Sequence, residues 1–192
     1  HAKMLKKIGI LSASEEKHLI EELQKISQEH KEGEFTISIE DEDCHTAIEN
    51  RLIKSLGDTG SKIHTGRSRN DQVLVALRLY YKSSLDKISS ITNQCIEHLQ
   101  MFGDNTNFDF PGYTHMQKAM PSKIKIWSNA YADSFVDDLK NLKNVQHIID
   151  QNPLGSVAGY PIPLTIDREL TSNELGFNKI QLNPIYLSLI HI

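Results

Sequence analysis

Residues 73–102 read VLVALRLYYKSSLDKISSITNQCIEHLQMF, thirty positions without a glycine or a proline. Nothing in this stretch breaks a helix, and a helix of that length would run about 45 Å at ~1.5 Å per residue. Leu74, Tyr81, Ile88, Cys95 and Phe102 recur every seven residues, and Leu77 and Ile91 fall on the alternate seam, which Ser84 and His98 interrupt. The pattern predicts a rod whose seam packs against other helices, with Cys95 a small buried hydrophobe on it. A domain of ordinary size has no use for such a rod, whereas a bundle of long helices does. A second rod follows. Pro121 suits a first helical position, and Ile124, Trp127, Tyr131, Phe135, Leu139, Leu142, Val145 and Ile149 form one stripe that ends near Asn152-Pro153. The expected fold class is all-α.

Helix signals also dominate the chain before the rods. Ser12 followed three residues later by Glu15 makes a capping box, and Leu19, Ile20, Leu23 and Ile26 follow at helical spacing. Residues 33–39 alternate weakly and suit an extended connection. Asp41, Glu42 and Asp43 crowd the start of the next helix, where the dipole favours acids. That helix turns Ala47, Ile48, Leu52, Ile53 and Leu56 inward and stops at Gly57. The expected organisation is a small helical N-terminal domain over residues 1–66, followed by the first part of a central long-helix bundle over residues 67–192.

Composition narrows the function classes. Over 192 residues the apolar share is 39% and the charged share 24%, the values of a globular chain rather than a disordered one. The net charge of -4, without a run of basic residues, argues against a nucleic-acid partner. No apolar stretch has the length needed to span a bilayer. No signal peptide is evident in a chain that opens at His1, so a cytoplasmic location and no membrane partner are expected. Cys44 and Cys95 lie far apart without a metal-binding spacing, which predicts two reduced thiols and no metal site. His98 and His147, on the two rods, read as surface or structural histidines.

Two segments break the helical pattern with dense polar side chains. The first is His64-Thr65-Gly66-Arg67-Ser68-Arg69-Asn70-Asp71-Gln72, which leads directly into the first rod. Free N–H groups at a helix start favour an anion, and arginine offers a planar fork matched to a carboxylate. One reading is a site for a carboxylate-rich small molecule. The other is an ion-pair network in which Arg67, Arg69 and Asp71 cap the rod. Composition leaves the two level, and both can hold together. The second segment is residues 111–121, PGYTHMQKAMP, a loop between the rods. Gly112 permits a tight turn there, and Thr114, His115 and Gln117 bring together a hydroxyl, an imidazole and an amide. Histidine is the natural proton donor or acceptor near neutral pH. A lone loop histidine is more often inert than catalytic, and the company His115 keeps raises its standing.

At these two segments the sequence resembles a known family. Thr65-Gly66-Arg67-Ser68-Arg69-Asn70-Asp71-Gln72-Val73 resembles the first signature of argininosuccinate lyases, and Gly112-Tyr113-Thr114-His115-Met116-Gln117 resembles the second. The second is shared across the fumarase, aspartase and adenylosuccinate lyase superfamily. The Ser68–Gln72 run is specific to argininosuccinate lyases and the lens delta-crystallins derived from them. His1–Leu5, Asn152–Ser156 and Ile166–Glu169 also fit, and the resemblance covers His1 to about Tyr186. Departures from the pattern are of two sizes, the glycine replacements being the smaller. Val157 and Pro161 occupy positions where glycine is more usual. The chain starts after a family segment carrying a substrate-contacting serine, and it ends before a loop whose serine takes part in proton transfer. Residues 187–192 do not continue the family pattern.

The resemblance implies a fumarase/aspartase-like fold and a C–N lyase that splits argininosuccinate into arginine and fumarate by anti elimination, in arginine biosynthesis or the urea cycle. It implies that Ser68, Arg69 and Asn70 hold substrate carboxylates, that Thr114 contacts the fumarate portion, and that His115 is one member of the acid/base pair. It further implies a homotetramer whose active sites draw segments from several subunits, with no metal or organic cofactor. Three other classes remain open: a delta-crystallin-like structural protein without activity, another fumarate-releasing lyase of the superfamily, and a helical assembly module with no substrate. The chain as given, without the proton-transfer loop, is expected to be inactive by itself.

Overall fold

The capping box at Ser12 forms as its spacing predicts. The Glu15 N–H donates to Ser12 Oγ and the Ser12 N–H donates to Glu15 Oε2, and helix α2 (Ala13–Glu32) follows. It is preceded by α1 (Ala2–Lys7) and succeeded by α3 (Cys44–Leu56), α4 (Asp58–Ser61) and α5 (Arg69–Asn105). Asp43 caps α3 by accepting the Thr46 N–H at 2.7 Å, and α3 stops at Gly57. The computed structural model describes residues 1–106, 108–157 and 162–187. Pro161 and the tail 188–192, flagged as departures in the sequence, lie outside the described residues.

The chain divides into two compact units. The first takes residues 1–76 together with the chain from Gln151 onward. Its core is Ala2, Met4, Leu5, Leu11, Leu19, Ile26, Leu52 and Ile63, with Ile166 and Leu170 packed against it. Burying a side chain of this size stabilises by about 1.5–3 kcal/mol, and Met4, Leu5, Leu19 and Leu52 are fully buried. The return of the chain is fixed by a two-residue parallel ladder between β3 (Gln151–Asn152) and β4 (Lys179–Ile180), flanking α7 (Arg168–Leu175). The Asn152 side chain has no exposure. It donates to Thr171 Oγ1 at 2.8 Å and accepts the Leu154 N–H at 3.1 Å, so its burial costs no lost hydrogen bond.

The second unit is Leu77–Asp150. Here the long rod is present and longer than expected, since α5 spans 37 residues. Its partner α6 (Ile124–Ile149) runs antiparallel to it. Lys82 pairs with Asp150, Gln146 donates to Asp86 at 2.7 Å, and Gly103 lies against Ser128 and Lys125, so one index falls as the other rises. A Cβ at Gly103 would sit 2.3 Å from Ser128 Oγ. The helices therefore approach closely here, where both residues are small.

The seam that α5 turns inward differs from the expected one. Between Tyr81 and Gly103 the less exposed positions are Lys82, Ser84, Leu85, Ser89, Thr92, Ile96, Leu99 and Gly103, all but Ser84 on a heptad seam offset from the stripe read in the sequence. Tyr81, Ile88, Cys95 and Phe102 are instead exposed, and Cys95 is a free thiol at the surface of the chain. The same split appears on α6. Phe135, Leu139, Leu142 and Ile149 are half-buried, whereas Trp127, Tyr131 and Val145 are exposed. On α5 most of the counted stripe is thus the open face, and the inward seam mixes Leu85, Ile96 and Leu99 with polar and small residues; on α6 the counted stripe is itself divided between the two faces.

Two further expectations are corrected. The segment over residues 111–121 is not an irregular loop but most of an antiparallel hairpin, β1 (Asp109–Thr114) paired with β2 (Gln117–Lys123). Pro121 does not open α6. It lies in β2 opposite Pro111, and α6 begins at Ile124. In a two-stranded ladder every strand is an edge, so prolines lacking an N–H are tolerated there. The overall class is all-α, as expected, with two small ladders added. Among the described residues, no helix is long and apolar enough to cross a membrane.

Candidate active site

The first motif forms the start of α5. Ser68 and Asp71 cap this helix start together: the Asn70 N–H donates to Ser68 Oγ at 3.2 Å, and the Ser68 N–H donates to Asp71 Oδ1 at 3.0 Å. Ser68, Arg69 and Asn70 sit together here and all are half-buried. Arg69 reaches back to α3. Its guanidinium donates to Thr46 Oγ1 at 3.0 Å and to Gln72 Oε1 at 3.0 Å, and it pairs with Asp43 at 3.4 Å and Glu49 at 3.5 Å. Asp43, Thr46 and Glu49 follow at intervals of three, so one face of α3 holds the arginine. Glu49 also receives Arg67 at 3.4 Å and lies 2.9 Å from His64 Nδ1.

The electrostatics are balanced rather than freely cationic. Burial pulls the Arg67 guanidinium below its usual range, and Glu49 opposes that shift. His45, in the first turn of α3, is held below the ordinary histidine value by burial and by Arg69. Arg67 and Arg69 are thus shared among Asp43, Glu49 and Asp71. Of the two arginines Arg69 is the more accessible, its side chain 34% exposed against 12% for Arg67.

Glu49 and Arg168 are residues that sequence reasoning left without a role, and Asp71, read there only as part of a network capping the rod, also makes long-range bonds. Asp71 has no exposure; its Oδ2 accepts the N–H of Gly155 at 3.1 Å and of Val157 at 3.3 Å. Burial pushes its carboxyl up, against the pull of those N–H groups and Arg67. Arg168 grips the same segment, donating to Leu154 O at 2.9 Å and Ser156 Oγ at 3.0 Å. The Ser68-to-Asp71 spacing was a legible cap signal. The long-range bonds of Asp71 had no signature in sequence.

Val157 pays for this arrangement with a φ of +40°, an unfavourable conformation for a β-branched residue. Val157→Gly should therefore raise stability by about 0.5–1 kcal/mol, the left-handed strain relieved less the added entropy of glycine in the unfolded chain. Thermal unfolding of the two proteins side by side checks this. A variant melting at or below the parent would show that the backbone at 157 stores no strain.

The second motif occupies the hairpin tip in the other unit. Thr114 and Gln117 are the last paired residues, which leaves His115 and Met116 as a two-residue turn. Both have positive φ, 49° and 64°, as a type I′ turn demands at its two central positions. Asparagine and glycine usually supply those conformations, so this turn is strained with the residues it has. At Gly112 a Cβ would lie 2.4 Å from Met120 O, so only glycine fits at the register shift between Pro111 and Tyr113. Thr114 and His115 are both exposed. The five expected site residues thus fall into two sets: Ser68, Arg69 and Asn70 at the start of α5, and Thr114 and His115 on the hairpin tip. Among the described residues, no three His, Cys, Asp or Glu side chains converge as metal ligands.

A helical N-terminal unit, a pair of long antiparallel helices and a histidine at the tip of a hairpin joining them define the class: this is the fumarase/aspartase architecture. The chain belongs to the lyase family, whose model, described as "Lyase", matches residues 1–187. It is 51% identical over 187 residues to the argininosuccinate lyase of Thermotoga neapolitana, covering 97% of this chain and 47% of that protein. The argininosuccinate lyase of Xylella fastidiosa (strain Temecula1) is 44% identical over 190 residues, with 98% and 43% covered. The chain thus spans a little under half the length of these curated relatives. Among solved structures, a variant of EDDS lyase with bound fumarate superimposes with a TM-score of 0.85 at 22% identity, covering 97% of this chain and 37% of that one. A fumarate lyase:delta crystallin from Brucella melitensis bound to cobalt gives 0.77 at 17%, covering 96% and 45%. At those identities the two structures speak for the fold.

Proposed function

We propose that this chain is the N-terminal part of an argininosuccinate lyase, cleaving argininosuccinate to arginine and fumarate. The observation that carries this reading is the 51% identity to a protein of that name across 97% of the chain. The specific Ser68–Gln72 run lies within the aligned span.

In the proposed reaction a base removes the proton from the succinyl carbon next to a carboxylate, leaving a carbanion delocalised into that carboxylate. The C–N bond then breaks, its electron pair leaves with the guanidino nitrogen, and an acid protonates that nitrogen. Ser68, Arg69 and Asn70 hold the carboxylates, where preorganised donors stabilise the added negative charge. Thr114 contacts the fumarate portion, and His115 is one member of the acid/base pair. The enzyme is a cytoplasmic homotetramer with sites shared between subunits, which would cover the apolar faces of α5 and α6 carrying Tyr81, Ile88, Phe102, Trp127 and Tyr131. It needs no metal or organic cofactor.

The test is turnover by the purified full-length protein. Arginine and fumarate should appear in equal amounts from argininosuccinate. Fumarate release from adenylosuccinate or aspartate instead would move the protein to another branch of the superfamily. No release from any of the three would leave the delta-crystallin-like reading.

A further inference from the structure

We propose that Asp71 is a positioning residue that locks the carboxylate-binding loop at 68–70 to the chain at 155–157. The proposal rests on the function given above, because it assigns Asp71 a task in substrate binding.

A helix cap alone does not explain this side chain. Capping Ser68 uses one carboxylate oxygen, Oδ1. The other, Oδ2, accepts two backbone N–H groups from residues 84 and 86 positions further along the chain. The segment that donates them is also gripped elsewhere. Leu154 N–H goes to Asn152, Leu154 O and Ser156 Oγ accept from Arg168, and Arg168 also donates to Gln181 O at 2.6 Å. Residues 154–157 therefore form a rigid shelf on which the strained Val157 is over-determined. Through Asp71 that shelf fixes the backbone of Ser68. Ser68 Oγ in turn fixes the Asn70 N–H. The loop is thus held ready before substrate arrives, and affinity is gained by ordering it in advance.

The chemistry of the carboxylate makes the idea testable. Both of its oxygens accept, whereas an asparagine side chain of the same shape has one acceptor and one donor group. Whichever way that amide is turned, its NH₂ would face either the Ser68 N–H or those of Gly155 and Val157. No orientation satisfies both segments, so the coupling is lost while volume is kept.

In the full-length protein Asp71→Asn should raise the KM for argininosuccinate ~10-fold or more while kcat changes less than ~3-fold, the pattern of lost binding shared by ground and transition state. A merely structural Asp71 would lower the melting temperature and leave KM unchanged in the folded fraction, and that result overturns the proposal. A second measurement needs no variant. Fumarate should slow amide hydrogen exchange in peptides covering residues 66–71 and also in those covering 154–157. Protection confined to 66–71 overturns the coupling even where the variant fails to fold. Absence of argininosuccinate turnover in the unsubstituted protein would remove the function instead, and exchange with fumarate then decides the coupling by itself.

Discussion

His115→Asn in the full-length protein should lower turnover by ~10²-fold or more, the usual scale for removing a general acid or base, without lowering the melting temperature. The geometry of the hairpin sharpens this expectation. His115 sits at φ 49° in a type I′ turn, a position where asparagine is among the preferred residues. The substitution should therefore leave the turn intact or relax it. Asparagine also keeps a polar side chain of similar reach but cannot titrate near neutral pH. A histidine held there for structure would make the variant as active as the parent, since asparagine suits the turn equally well. Stopped assays for fumarate and a thermal melt on the same preparation separate the outcomes. Normal turnover would remove His115 from the acid/base pair.

The sequence was legible where one local signal had one physical meaning. The Ser12-to-Glu15 spacing produced a cap, the acids before Cys44 produced another, and thirty residues without glycine or proline produced a helix of 37. It misled where a signal had two meanings. A heptad stripe marks a face that must be covered, but not by what. Tyr81, Ile88 and Phe102 lie on the open face, while the internal seam uses Ser89, Thr92 and Gly103, which no hydrophobic count selects. Pro121 likewise reads as a helix start and turns out to be an edge-strand residue. The hairpin was hidden because its turn is His115-Met116 rather than an asparagine or glycine pair. The candidate site shows the same division. Arginine and carboxylate types were evident in the 64–72 run, yet the α3 face that binds Arg69 and the bonds from Asp71 to residues 155 and 157 depend on tertiary placement.

Arg69→Lys should reduce kcat/KM by about 10- to 100-fold, because losing a hydrogen bond to a charged group removes about 1.5–3 kcal/mol. Formal charge is preserved, so what the substitution tests is geometry. Arg69 uses Nε and both terminal nitrogens at once, toward Asp43, Glu49, Gln72 and Thr46. A guanidinium can keep part of that set while presenting a fork to a substrate carboxylate; an ammonium on a single flexible stem cannot do both. The capping role is also present, as those bonds to α3 show, and it predicts a loss of its own. Arg69 is about one-third exposed, so its ion pairs are worth at most about 1 kcal/mol, a fall of a few degrees in melting temperature. The two roles separate on one sample. If capping is the whole of it, the variant melts lower and the folded enzyme keeps its kcat/KM. If Arg69 binds a carboxylate, kcat/KM falls far more than the melting curve explains, and the affinity for fumarate as product inhibitor falls with it. Unchanged inhibition by fumarate beside a reduced melting temperature would leave Arg69 as a cap and move carboxylate recognition to Ser68 and Asn70.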